Sequence, residues 1–287
     1  MTDFGGALQK RDDYDLALLG IPYDEKSSYR QGPALGPQSI REAATSASMN
    51  AWTELSINLE TDAVVADLGD VDVSGDYSVI SDRIQKSVLK ILNKNAVPLI
   101  MGGDHSITYP VIKGVAQKYK ILDILHFDAH PDLYDELYGD RFSHACPFAR
   151  ILEQGLASNL VQVGIRASIG DHWDKAKKYG VKVWTMRDLR ELPVLEFKNP
   201  LYISFDMDAL DPAFAPGVSH CEPGGLSTRE ALHILHNVRA EIIGMDVVEV
   251  NPLFDHAGRT ASAAVKIMME TAGLAVSSRR MKEEKPG

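Results

Sequence analysis

The sequence predicts an α/β protein of three layers, α/β/α, with helices on both faces of a mainly parallel sheet of roughly eight strands. Two observations carry the prediction. Short apolar runs alternate with longer stretches of helical period, and several runs are apolar throughout, as strands covered on both faces are. Three patches rich in Asp and His each close one of these runs, where the carboxyl ends of parallel strands converge on a crevice.

In chain order, Tyr14 to Gly20 is the first strand-like run. Gly36-Pro37 then starts a helical pattern reaching Met49, because proline is pre-organised for a first turn. Ala63 to Leu68 and Val97 to Met101 flank a helical period from Tyr77 to Asn95, and the next helix is expected from Ser106 to Tyr119. Ile121 to Phe127, Leu160 to Ile165 and Lys182 to Thr185 read as strands, with a helix from Asp171 to Tyr179 before the last of them. Leu201 to Phe205 and Glu241 to Val250 complete the strands, and helical patterns run from Ser227 to Ala240 and from Thr260 to Ser277. Tyr23 to Gly36, Leu133 to His144 and Leu210 to Gly225 are long connections after strand ends, where substrate-contacting residues usually lie. No repeat, low-complexity tract or linker divides the chain, so residues 1–287 are expected to form one domain with a flexible, charged tail over 278–287.

Composition narrows the function. The chain has 287 residues, 45% hydrophobic and 24% charged, with a formal net charge of -10. An acidic balance argues against a nucleic-acid partner, which needs a basic face, and weakly suits a cationic substrate. Two cysteines, Cys146 and Cys221, cannot build a disulfide framework and fit a reducing compartment. The first residues lack the charged-then-apolar pattern of a signal peptide, and no apolar run approaches membrane-spanning length. A cytoplasmic protein without a membrane partner is the expectation.

The three patches hold the chemistry: His105 in Gly102-Gly103-Asp104-His105-Ser106, then Asp128, His130 and Asp132, then Asp206 and Asp208. Side chains at i, i+2 and i+4 of an extended segment share one side, so each patch can face one cavity. Four carboxylates and two imidazoles suit two divalent metals. Oxygen-rich ligation with some imidazole favours manganese over zinc, with nickel, cobalt or iron as possible substitutes. An aspartate after a strand is ordinarily a turn former or helix cap, and only the joint pattern favours a metal centre.

Gly102-Gly103-Asp104-His105-Ser106, Asp128-Ala129-His130-Pro131-Asp132 and Ser204-Phe205-Asp206-Met207-Asp208-Ala209-Leu210-Asp211-Pro212 resemble the ureohydrolases, the arginase and agmatinase superfamily, over nearly the whole chain. The resemblance implies an eight-stranded parallel sheet, a two-manganese centre, and a homotrimer or homohexamer. It implies that His105, Asp128, Asp132 and Asp206 hold one metal and Asp128, His130, Asp206 and Asp208 the other, with Asp128 and Asp206 bridging. It places a proton-shuttling histidine at His144 and a guanidinium-receiving carboxylate at Glu249.

Two divalent cations offset four carboxylates, and a bridging hydroxide leaves the centre about one unit negative, which welcomes a guanidinium. Metal coordination lowers the pKa of water toward about 7 in favourable zinc sites, so hydroxide is available as nucleophile at neutral pH. The near-neutral reference pKa of histidine suits His144 for protonating the departing amine. The planar fork of a carboxylate suits Glu249 for a guanidinium. The ordinary alternatives are a solvated loop histidine and a satisfied structural carboxylate.

Other residues are less telling. His126 reads as a hydrogen-bonded core residue or one behind the ligands, His233 and His236 as surface decoration, and His172 as exposed. His220 and His256 lie in candidate substrate loops. Gly102 and Gly103 are explained by close backbone packing beside the metals. A two-metal phosphoesterase would use similar ligands but should surround its substrate with cations, for which Glu249 has the wrong charge. A non-catalytic protein on this fold could afford to lose ligands, and none is missing.

For the substrate, Asp135, Glu136 and Asp140 against Arg141 favour a cationic tail, with Asp135 and His220 as candidate substrate contacts. Residues 143–150 and 217–220 resemble plant-type arginases and some agmatinases, while Gly244 to Pro252 followed by Asp255-His256-Ala257-Gly258 looks more like agmatinases. The expected reaction is agmatine to putrescine and urea, with arginine to ornithine next and guanidinobutyrate or another guanidino compound after it.

Overall fold

The computed structural model describes residues 4–47, 49–189 and 194–283. The elements follow in chain order as β1 (Leu16–Gly20), α1 (Gly36–Ala44), β2 (Val65–Asp70), α2 (Tyr77–Asn93) and β3 (Val97–Met101). Then come α3 (Thr108–Lys118), β4 (Asp123–Phe127), α4 (Pro147–Glu153), β5 (Asn159–Ile165), α5 (Gly170–Tyr179) and β6 (Lys182–Thr185). The chain ends with β7 (Leu195–Glu196), β8 (Leu201–Asp206), α6 (Thr228–His236), β9 (Val238–Arg239), β10 (Ile242–Val248) and α7 (Arg259–Glu283). Eight strands form one parallel sheet in the order β2-β1-β3-β10-β8-β4-β5-β6, and β7 and β9 pair separately.

Alternation along the strands builds a core on each face. Leu16 and Leu18 of β1 join Leu99, Phe127, Phe205 and Met245 in one cluster, while Ala17 and Leu19 join Ile100, Ile124, Tyr202 and Ile243 in the other. Helices α1, α6 and α7 cover the first face, and α2 and α3 the second. Double coverage is why these strands read as continuous apolar runs.

The expected tail is corrected. Helix α7 continues six residues past Ser277 to Glu283, because its polar groups find partners. Ser278 Oγ accepts the Ile242 N–H at 3.3 Å, Arg280 pairs with Asp62 at 2.7 Å and Lys282 with Glu241 at 2.9 Å. Residues 284–287 lie outside the described part. Helix α1 stops at Ala44 rather than Met49, at Thr45, whose hydroxyl turns back to the Glu42 carbonyl at 2.8 Å. Helix α4, seven residues beginning at Pro147, is too short for a periodicity to show.

Candidate metal centre and active site

Chain order positions the site. After β3 the chain skips two places in the sheet to β4, and β10 and β8 later fill the gap. The four central strands therefore end side by side, and Phe127 of β4 lies in register with Phe205 of β8. Asp128 and Asp206 follow directly. Met101 of β3 is level with Val247 of β10, which sets His105 and Glu249 beside each other. The loop carrying His105 is pinned by Gly103, where a Cβ would stand 1.8 Å from the Tyr23 carbonyl oxygen, so the predicted close packing is found. Asp104 caps the turn, accepting from Ser106 N at 3.0 Å and from Lys26 N at 3.0 Å.

The six expected ligands converge. His105 Nδ1 lies 3.2 Å from Asp128 Oδ2, 3.0 Å from Asp132 Oδ2 and 3.2 Å from Asp206 Oδ2. His130 Nδ1 lies 3.3 Å from Asp128 Oδ1 and 3.0 Å from Asp208 Oδ2. Asp128 thus divides its two oxygens between the imidazoles, while Asp206 Oδ1 accepts the Asp208 N–H at 2.8 Å.

These residues fit a metal for a specific reason. Ser204 Oγ–H donates to Asp246 Oδ1 at 2.6 Å, so its oxygen accepts from His105 Nε2, 3.0 Å away. The hydrogen of a neutral imidazole is then on Nε2, and Nδ1 presents a lone pair to three carboxylate oxygens. His105 Nδ1 is buried and has no hydrogen-bond partner among the described residues. Lone pairs facing carboxylates repel unless a cation sits between them. Atoms each about 2.1 Å from one ion, at roughly right angles, stand about 3.0 Å apart, close to the separations found here.

The electrostatics agree. Burial and the neighbouring Asp208 and Asp128 carboxylates push the Asp206 carboxyl well above its usual range, and burial lifts Asp208 to about 6. Burial would raise Asp128 as well, but the imidazoles of His126, His105 and His130 hold it well below the usual range. His126 supports the ligands as expected: Nε2 is 2.8 Å from Asp128 Oδ2 and Nδ1 is 3.0 Å from Gln162 Nε2. Its ring packs on Phe148 with centroids 3.9 Å apart.

Beside the ligands opens a cavity of about 190 Å³, smaller than a drug-sized pocket and suited to a small linear metabolite. His144 and Glu249 line it with His220 and Ser28. His144 Nδ1 is 3.5 Å from Glu249 Oε1, and His144 Nε2 is 2.8 Å from Ser28 Oγ. Burial opposes charge on His144, yet Glu249 overrides it and lifts the pKa to about 9. Glu249 Oε1 also accepts the His105 N–H at 3.0 Å, and despite burial His144 keeps its carboxyl below the usual value. Below them, burial and the Glu249 charge lift Asp104 to about 7.

Three expectations on loop residues are corrected. Asp135 lies outside the catalytic cavity, ion-paired with Lys175 and 3.7 Å from Arg150. Asp140 pairs with Lys26 at 2.6 Å, so two of the three acids of the stretch are answered by cations from other parts of the chain. His172 is buried, because the first turn of α5 sets its ring edge-on to Tyr134 at 4.2 Å. His220 lines the cavity, stacked on His144 at 5.2 Å between centroids, whereas His256 is exposed outside it. His233 is exposed and His236 bonds Glu270 at 2.9 Å. Cys146 is buried and Cys221 exposed, and neither joins the ligands.

Ser28, Ser204 and Asp246 escaped the reading of the sequence. Ser204 stands two residues before Asp206 on one strand, a same-side spacing that could have revealed it. Ser28 had no signal.

Comparison with known proteins agrees with this geometry. The model of the Arginase family matches residues 14–273. "Arginase 1, mitochondrial" of Arabidopsis thaliana is 46% identical over 272 residues, spanning 89% of this chain and 80% of that protein. "Agmatinase, mitochondrial" of Gallus gallus is 37% identical over 274 residues, spanning 89% and 79%. The solved structure titled "Arginase from Medicago truncatula" superimposes with a TM-score of 0.87 at 43% identity, covering 91% of this chain and 88% of that one. With the eight-stranded parallel sheet, the ligand cluster and these likenesses together, the chain belongs to the arginase family.

Proposed function

We propose that the protein is an arginase that hydrolyses L-arginine to ornithine and urea. One observation carries the choice over agmatine: identity to a plant arginase is 46%, against 37% to an agmatinase of similar coverage. The acidic stretch that favoured agmatine is weaker support than it looked, since Asp135 and Asp140 are paired with Lys175 and Lys26.

The family's cofactor is a pair of manganese ions, and the His and Asp clusters here are able to bind metal. His105, Asp128, Asp132 and Asp206 would hold one ion, and Asp128, His130, Asp206 and Asp208 the other. Two divalent ions held there would supply Lewis acidity and a source of hydroxide at neutral pH. Glu249, fixed by the His105 N–H, offers a buried carboxylate to the planar guanidinium. His144 is cationic below about 9, and Ser28 holds its Nε2. The proton at Nδ1, facing Glu249, is placed to pass to the amine that departs as ornithine. The assembly in this reading is a homotrimer or homohexamer, which sedimentation would decide.

The test is the release of urea and of the partner amine from arginine, agmatine and guanidinobutyrate after manganese loading, with a chelated control. An arginine kcat/KM at least roughly tenfold above the others, about 1.4 kcal/mol of discrimination, is expected. A preference for agmatine would overturn the substrate, and equal rates with and without metal would overturn the mechanism.

A further inference from the structure

The wall of the cavity includes a histidine that the mechanism above does not use. His172 stands in the first turn of α5, 3% exposed, among the residues lining the cavity with Tyr134 and His144. The Ile169 N–H, at the start of the helix, donates to His172 Nδ1 at 3.4 Å. A ring nitrogen that accepts leaves the hydrogen of a neutral imidazole on the other one. Burial keeps the ring below its usual pKa, and the positive end of the helix disfavours charge further. His172 Nε2–H is therefore a neutral donor, and it is buried with no partner among the described residues. A buried donor without an acceptor costs stability, so its retention in a substrate cavity calls for an acceptor that arrives from outside.

Resting on the arginase reading, the geometry points to His172 as a specificity-determining residue whose Nε2–H receives the carboxylate of the substrate, at the end remote from the guanidinium. A donor welcomes a carboxylate and has nothing to offer the terminal ammonium of agmatine. The bond separates guanidino compounds by their tails without touching the reacting carbon. Tyr134, edge-on to the ring, keeps it in place, and the Ile169 N–H fixes which nitrogen donates.

The test uses the manganese-loaded protein as wild type, His172→Phe and His172→Gln, with three substrates. Arginine has carboxylate and ammonium, guanidinobutyrate carboxylate alone, and agmatine ammonium alone. Phe keeps the contact with Tyr134 and loses the donor. Its kcat/KM should fall roughly 10- to 100-fold for the two carboxylates, mainly through KM, and less than about threefold for agmatine. Gln in the third helical position can still accept the Ile169 N–H while its amide donates, so it should recover most of the loss. Equal losses on all three substrates would reduce His172 to a structural role and overturn the inference, as would no loss on the carboxylates. The wild-type ratio of arginine to agmatine tests the arginase reading separately. A wild type preferring agmatine, together with a carboxylate-selective loss in His172→Phe, would sink that reading and leave this inference standing.

Discussion

Replacing Ser204 by Ala tests whether the metal centre is built from behind. Ser204 Oγ links His105 Nε2 at 3.0 Å to Asp246 Oδ1 at 2.6 Å, and Asp246 Oδ2 accepts from Thr108 Oγ1 at 3.0 Å and Tyr202 OH at 2.9 Å. All five side chains are buried. Alanine leaves the His105 N–H without an acceptor and frees the ring to turn, which takes Nδ1 off the axis shared by Asp128, Asp132 and Asp206. Partners behind a metal-ligating histidine are worth roughly 10- to 100-fold in metal affinity, or about 1.4 to 2.7 kcal/mol. The assay is calorimetric manganese titration of chelator-stripped protein. One of the two binding events should weaken by that factor while the other, anchored on His130, holds within about twofold. At saturating manganese kcat should stay within about threefold, because Ser204 is not placed to touch substrate. Tyr202→Phe is the control: it removes one donor to Asp246, costs about 1 kcal/mol of stability and leaves manganese affinity alone. Unchanged affinity in Ser204→Ala combined with a collapsed kcat would refute the reasoning.

Two further outcomes follow from the same geometry. Asp128→Asn removes the charge shared between the two imidazoles, so kcat should drop about a thousandfold or more and bound manganese below two per chain by elemental analysis; full activity would exclude a bridging role. For His144, the folded pKa of about 9 lies above the unfolded value. Its pairing with Glu249 thus stabilises the metal-free protein fully below about pH 6.5 and is lost as pH rises through about 9. The stability difference between wild type and His144→Gln in urea should shrink by about 3 kcal/mol across that window, and a pH-independent difference would contradict the pair.

The convergence of the six candidate ligands was legible because each patch closes a strand-like run. A parallel sheet brings the three patches together, but the strand alternation expected within them is not how they are built: Asp132 sits at φ 49° past the end of β4, and Asp208 lies in a single 3-10 turn after β8. What sequence could not show is which distant residue answers a charge. Lys26 lies 114 positions from Asp140, and without that pairing the loop looks like a seat for a cationic tail. The same blindness made His172 seem exposed, since only the fold lays Tyr134 over it, and made residues 278–283 seem loose, since Asp62 and Glu241 come from other elements. Helix and strand interiors, governed by periodicity, were predictable, and pairwise long-range electrostatics were not.

The backbone around the site points the same way as its charges. Asp132 and Glu249 adopt φ values of 49° and 63°, in the left-handed region that favours glycine. Such conformations cost on the order of 1–3 kcal/mol each and persist only where surrounding bonds impose them. For Glu249 those bonds are visible: its N–H donates to the Gly103 carbonyl at 2.8 Å, and its carboxylate receives the His105 N–H. The turn directs the carboxylate back over the His105 loop, toward His144, rather than on along β10. Glycine would relieve the strain and forfeit the carboxylate. Four aspartates are also buried around the two imidazoles, so the crevice concentrates backbone strain and like charge that divalent cations would relieve. Metal binding would then contribute to the folding free energy of the crevice, since the six candidate ligands come from the carboxyl ends of β3, β8 and β4.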